Sequence, residues 1–235
     1  MNVYQSPWYL NAIAPQHKRW QGFVYVVNDR GEAASPYGYP GITGDVAQIR
    51  KDIGMPLFIR HAVDATPVGT GHPTRIMPTY DPWTTEAAAE VKRAEKAGVN
   101  CWQAGRTLEA FDRFTRNYRL SMEHKNAGQK YLTLADRIAL WIDNPAVIIL
   151  ETRGAGAMFL VDGMWGHYHL SWKHKEAHNL AMAAIFSTAV DMLKERGVEK
   201  VHLGGGMTGA PDDPLYRFKS RWGRTPHHVY FQEVP

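Results

Sequence analysis

A mixed α and β fold is what the 235-residue sequence predicts, on three observations. Strand-like and helix-like segments alternate with no internal repeat or low-complexity tract. Residues 146–173 break into apolar segments at glycine turns near Gly154, Gly156 and Gly163, the pattern of an antiparallel meander. A helical stripe then leads to one more short strand, "KVHL". A helix crossing between strands pairs them in parallel and leaves a crevice at their carboxyl ends.

Each element follows from local signals. "GFVYVVND" and "MPLFIRHAV" are apolar strand candidates, separated by "GEAASPYGYPGITGD", a strand and loop marked by glycine and proline. "WTTEAAAEVKRAEKAG" predicts a helix capped by Thr84 or Thr85 and stopped by Gly98. After a short extended "NCWQAG", a long helix is expected from about Leu108 to His124, and another over "LTLADRIALWID", ending before Pro145. In "EAHNLAMAAIFSTAVDMLKERG", residues Ala177, Leu180, Ala181, Ala184, Ile185, Ala189, Met192 and Leu193 share one stripe, with Gly197 as the stop. The chain closes with a glycine turn, a short basic helix and the strand "HHVYFQEV".

Composition narrows the class. No apolar run approaches the roughly 18 residues of a membrane span, and "MNVYQSPWYL" lacks the layout of a signal peptide, so a soluble cytoplasmic protein is expected. Cys101 is the only cysteine, which excludes an intrachain disulfide, and a small buried apolar group is its expected role. The net charge is +4, and Arg217, Lys219, Arg221 and Arg224 stand in an acid-free stretch from Pro214 to His228. Such a patch suits an anionic partner or a solvated face.

The glycines Gly204, Gly205 and Gly206 end a strand where the backbone must approach something closely. With Gly209 they fit G-x-G-x-x-G, yet Pro211, Asp212, Asp213 and Pro214 stand where a phosphate-binding helix would open, so a dinucleotide site is excluded. A phosphate loop is excluded because no Lys-Ser or Lys-Thr follows. His167 and His169, two apart on a strand, imitate a metal pair with His174 and His178, but no carboxylate stands at the spacing a site would need, and no metal is expected. No G-x-S-x-G elbow is present, which argues against covalent hydrolase chemistry.

Taken in order along the chain, "HYHLSWKHKEAHNLAMAAIFSTAVDMLKERGVEKVHLGGG", the later Asp213, Leu215, Phe218 and Lys219, and upstream "FDRFTRNYRLSMEHKNAGQKYLTL", "VKRAEKAGV" and "SPYGYPG" resemble the GNAT superfamily, specifically its Fem branch of aminoacyl-tRNA-dependent transferases and related acyltransferases. The resemblance implies a GNAT-like mixed sheet flanked by helices. It implies an abridged N-terminal half over 1–105 and a more complete C-terminal half over 106–235, with the final strand packing back on the first half. The coenzyme A loop of GNAT enzymes is missing where "SWKHKEAHN" stands, which points to aminoacyl-tRNA as co-substrate, with no cofactor, rather than acyl-CoA.

The implied activity is transfer of an aminoacyl group to a small-molecule or peptide amine. Lys219 is expected to stabilise the oxyanion, with Tyr168, His169 and Asp213 as candidates for proton handling. Asp213 could equally cap the following helix. Phe218 and Gly204–Gly206 would lie against donor or acceptor, and Tyr37 and Tyr39 would be acceptor-side groups. Lys173 and Lys175, placed before a helix N-terminus, would join Arg217, Arg221 and Arg224 in contacting an RNA acceptor stem. An acyl-CoA-dependent N-acyltransferase and a non-catalytic RNA-binding module are the alternatives, and the oligomeric state is left open.

Overall fold

The computed structural model describes residues 3–20, 22–36, 38, 40–66, 68–208 and 210–235. Its helices are α1 (Pro7–Ile13), α2 (Val46–Ile53), α3 (Thr85–Lys96), α4 (Leu108–His124), α5 (Gln129–Ala135), α6 (Ala181–Glu195) and α7 (Pro214–Trp222). Its strands are β1 (Lys18–Trp20), β2 (Gly22–Val27), β3 (Ala33–Ala34), β4 (Ile42–Thr43), β5 (Leu57–Arg60), β6 (Thr70–Pro78), β7 (Trp102–Gln103), β8 (Val147–Thr152), β9 (Ala155–Asp162), β10 (Trp165–Lys173), β11 (Lys200–Gly205) and β12 (Thr225–Val234). Two compact units form, one from residues 1–74 with 227–235 and the other from 75–226. The expected division at 105 falls inside the second unit, because α3 packs on α6 and β7 pairs with β8.

In the first unit β2 pairs antiparallel with β1, β3 and β4, β3 runs parallel to β5, and β5 is covered on its other edge by β12. One face buries Phe23, Ala33, Ile49, Leu57 and Ile59. Asp45 opens α2 by accepting from the backbone N–H groups of Ala47 and Gln48, at 2.8 and 3.2 Å. Gly54, at φ 75°, closes it in the left-handed conformation that glycine adopts without strain.

The second unit contains the predicted meander, β8 to β10, all antiparallel, and β7 adds to it antiparallel to β8. After α6 the chain returns as β11, parallel to β10. α6 buries Ile185, Phe186, Ala189 and Leu193 in a core shared with Ile148, Phe159, Val201 and Leu203. Each such side chain contributes about 1.5–3 kcal/mol relative to exposure. A bulge between Tyr168 and Leu170 changes which side of the sheet β10 presents. Tyr168 therefore lies against Phe186 of α6, whereas Trp172, four residues on, meets Phe114 of α4.

Two local expectations are corrected. "LTLADRIALWID" is not one helix: α5 ends at Ala135 and a 3-10 turn runs over Ile138–Trp141. Ala135, Ile138 and Trp141 are all buried, and a three-residue period suits the tighter 3-10 turn. α6 begins at Ala181, because the His178 ring accepts the Leu180 N–H at 3.1 Å and holds the preceding residues in a turn. α1, α2, β1 and β6 are elements the sequence reading did not anticipate; β6 contains Gly71, Pro73 and Pro78, residues that ordinarily argue against a strand.

Candidate functional site

The parallel pairing of β10 and β11 is short. It joins Trp165 to Lys200, Gly166 to Val201 and His167 to His202, after which β10 runs on to Lys173 and β11 to Gly205 without further pairing to each other among the described residues. The two strands part at the carboxyl end that the α/β rule singles out for ligands. Tyr168 from β10, Phe186 from α6, and Phe218 and Trp222 from α7 pack together in the core of this unit. Phe186 stacks on Trp222 with ring centres 4.7 Å apart, and Tyr168 lies 5.2 Å from Phe186.

The glycine turn is approached by the chain's own charged groups. Gly204 sits at φ 76°, and a Cβ there would stand 3.0 Å from Lys219 Nζ. A Cβ on Gly206 would meet the Asp213 carboxylate at 2.5 Å. Lys219 is only 8 % exposed and donates to the Gly205 carbonyl at 2.8 Å. Burial pulls its pKa down to about 8, partly offset by the attraction of Asp213.

Asp213 is committed on both oxygens. Oδ1 accepts from the N–H groups of Leu215 and Tyr216, capping α7, and Oδ2 accepts from the N–H groups of Met207 and Thr208 and from the Thr208 hydroxyl. Burial opposes its charge, but these bonds outweigh burial and hold the carboxyl at about 2. Such a group is a weak base and a strong clamp, so the structure places Asp213 in the capping role rather than in proton handling.

Tyr168 and His169 point to different surroundings. The Tyr168 ring packs among Phe159 and Phe186, and burial pushes its hydroxyl up to about 12. His169 falls in the bulge beside Trp141, and burial, then His167, brings its pKa down to about 3. His167 faces His202, ring centres 6.1 Å apart. Among the described residues no three His, Cys, Asp or Glu side chains gather as a metal site would require.

The expected basic tract is largely neutralised. Arg221 bonds Glu90 at 3.2 Å with Glu86 at 3.6 Å, and Arg224 pairs with Asp81. Arg217 is exposed with no ion pair among the described residues. Lys173 donates to the Asn179 carbonyl at 3.3 Å, and with α6 starting at Ala181, neither it nor the exposed Lys175 stands directly before a helix N-terminus. Glu90, Arg93, Asn179, Leu180 and Arg221 line a polar cleft of about 290 Å³. Tyr37 and Tyr39 lie outside the described residues. Sequence reasoning missed Glu86 and Glu90, although their i, i+4 spacing on α3 marks one helix face. It also missed Phe186, absorbed into an ordinary apolar stripe.

A sheet meander, a crossing helix and a splayed parallel pair define the class of fold. The sequence matches no family model and no curated protein. Among solved structures, the chain is similar to FemX, at TM-score 0.59 and 10 % identity, over 92 % of this chain and 83 % of that one. It is equally similar, at TM-score 0.59 and 15 % identity, to the C-terminal domain of a protein described as a lysylphosphatidylglycerol synthetase from Agrobacterium fabrum, covering 88 % and 79 %. A Bacteroides thetaiotaomicron protein of unknown function aligns at TM-score 0.66 and 12 % identity, over 97 % and 90 %. The fold is thus that of the Fem-like group the sequence resembles. Among the described residues no helix is long and apolar enough to cross a membrane.

Proposed function

We propose that the protein is an acyltransferase of the Fem-like kind, moving an aminoacyl group from aminoacyl-tRNA to an amine and forming an amide. The observation that carries this reading is the buried Lys219 ammonium held at the glycine end of β11, where β10 and β11 part. The acceptor's neutral amine attacks the ester carbonyl, its nitrogen forms the new bond, and the negative charge passes to the carbonyl oxygen. Collapse expels the ribose oxygen, which takes up the proton the amine gives away. Lys219 stabilises the oxyanion; a fixed donor in a water-poor site contributes about 3–4 kcal/mol. Bringing both substrates into one crevice supplies the rest.

The test is a transfer assay with a mixed aminoacyl-tRNA pool and a panel of amines. Lys219→Ala is expected to lower product formation at least tenfold with the fold retained. A cationic role also fixes the pH profile: Lys219 is protonated below about 8, so its contribution falls as pH rises through that value. An unchanged rate in the variant removes Lys219 from the reaction.

A second reading, with acyl-CoA as donor, is favoured by one observation. Arg221 and Arg224 are occupied by Glu86, Glu90 and Asp81, which leaves less free positive charge to follow an RNA backbone. Salt separates the two, because tRNA binding weakens steeply between 50 and 200 mM salt by roughly 10³-fold or more for six or more phosphate contacts, and coenzyme A binding only mildly.

A further inference from the structure

In the second unit Arg113 bonds Glu151, Arg119 pairs with Asp136, Arg221 with Glu90 and Arg224 with Asp81. Two cations withdrawn from solvent have no such ion pair among the described residues. Arg75, at the point where β6 enters this unit, has no carboxylate partner among the described residues, and its Nε is buried without a hydrogen-bond partner. Lys219 is buried with a single neutral acceptor, the Gly205 carbonyl. An ammonium carries three donors and a guanidinium five, so both groups hold capacity to spare.

Both cations lie along α7. The Arg75 guanidinium lies 5.0 Å over the ring of Tyr216, which fixes its plane. Tyr216 and Lys219 are three residues apart on α7 and therefore neighbours on one helix face. The contact is built in: a Cβ on Gly223 would stand 2.7 Å from Arg75 Cβ, so only glycine lets the end of α7 close against β6. The nearest carboxylate on the helix, Asp213, spends both oxygens on its own loop and cap. A half-buried guanidinium with no ion pair, and a buried ammonium whose one nearby carboxylate is committed to its own loop, are costly alone and become more favourable when an anion joins them.

We propose that Arg75 and Lys219 hold a substrate phosphate on this face of α7, Arg75 presenting its flat fork to two phosphate oxygens. Arg217, exposed on the same short helix, adds charge at the rim. Which substrate carries the phosphate, an RNA backbone or a coenzyme, depends on the transferase reading above; the phosphate site does not.

The test is calorimetric titration of the intact protein with inorganic pyrophosphate at 50 mM salt, for the wild type, Arg75→Gln, Arg75→Lys and the exposed control Lys194→Gln. Binding by the wild type, at least tenfold weaker in Arg75→Gln and unchanged in Lys194→Gln, supports the site. If Arg75→Gln does not fold, Arg75→Lys decides, with affinity at least threefold lower because the fork is lost. No pyrophosphate binding by the wild type, or equal affinity in the Arg75 variants, overturns it. A CCA-ended RNA hairpin and coenzyme A are then used as competitors, and the one that displaces pyrophosphate names the source. If pyrophosphate depends on Arg75 but no amine is acylated with either donor, the site stands and the transferase reading falls. Transfer retained while the Arg75 variants bind pyrophosphate as the wild type does is the reverse result: the transferase reading stands and the site falls.

Discussion

Lys219 and Asp213 sit six residues apart, and both have lowered pKa values, Lys219 through burial and Asp213 through the hydrogen bonds of its loop and cap, which outweigh burial. Asp213 has a folded pKa of about 2, below its ordinary 3.8, so the unfolded chain binds more protons in that interval. The stability it confers is complete above about pH 4 and is lost as pH falls toward 2. Asp213→Ala should cost about 1–2 kcal/mol at neutral pH, the usual loss of a helix cap, read as a lower midpoint in urea denaturation. It should also remove the part of the acid destabilisation that this carboxyl supplies. For Lys219 the folded pKa, about 8, again lies below the ordinary 10.5, and the unfolded chain again binds more protons between the two. Below about 8 the protein therefore bears the full cost of a buried cation, and stability rises from there to about 10.5. Lys219→Met should abolish that alkaline rise in the denaturation midpoint. The sequence singled out both residues, yet it could not say that Gly204 accommodates Lys219 and Gly206 accommodates Asp213. A missing Cβ announces that something comes close and is silent about what.

At the scale of elements, the meander, the crossing helix and the parallel return were legible because glycine turns and a 3.6-residue stripe are strong local signals. The bulge at His169 was not, since it depends on how β10 meets β9 rather than on any residue in β10 alone. Its effect is large: it turns Trp172 to the side of α4, over Gly156, where a Cβ would lie 2.5 Å from the indole Nε1. Gly156→Ala should therefore destabilise the protein by about 1–3 kcal/mol through overpacking, measured as a lower melting temperature with the same secondary structure. Gly163→Ala serves as the comparison, since it strains a φ of 58° but meets no neighbouring atom. The basic helix shows the converse error. Counting Arg221 and Arg224 as free charge from α7 alone overlooked acids supplied by α3 and by the stretch before it, at Glu86, Glu90 and Asp81.

Over the whole molecule, the mixed architecture and its likeness to FemX were within reach of the sequence, whereas the division of the chain was not. Composition changes little near 74, and the boundary is made by pairing: β12 covers β5 with Phe231 opposite Arg60 and Val234 opposite Leu57. Thr74 Oγ1 and His227 Nδ1 share a hydrogen bond of 3.0 Å in the same unit. Such long-range partners leave no local trace. They do have a temporal consequence. On a translating ribosome the first 74 residues emerge early but lack the strand that covers β5, and they must wait for some 150 further residues before residues 227–235 arrive. Until then β5 presents a bare edge, the kind of surface on which nascent chains associate or chaperones settle. The second unit, contiguous from 75 to 226, meets no such delay, so the part of the chain made first is the part finished last.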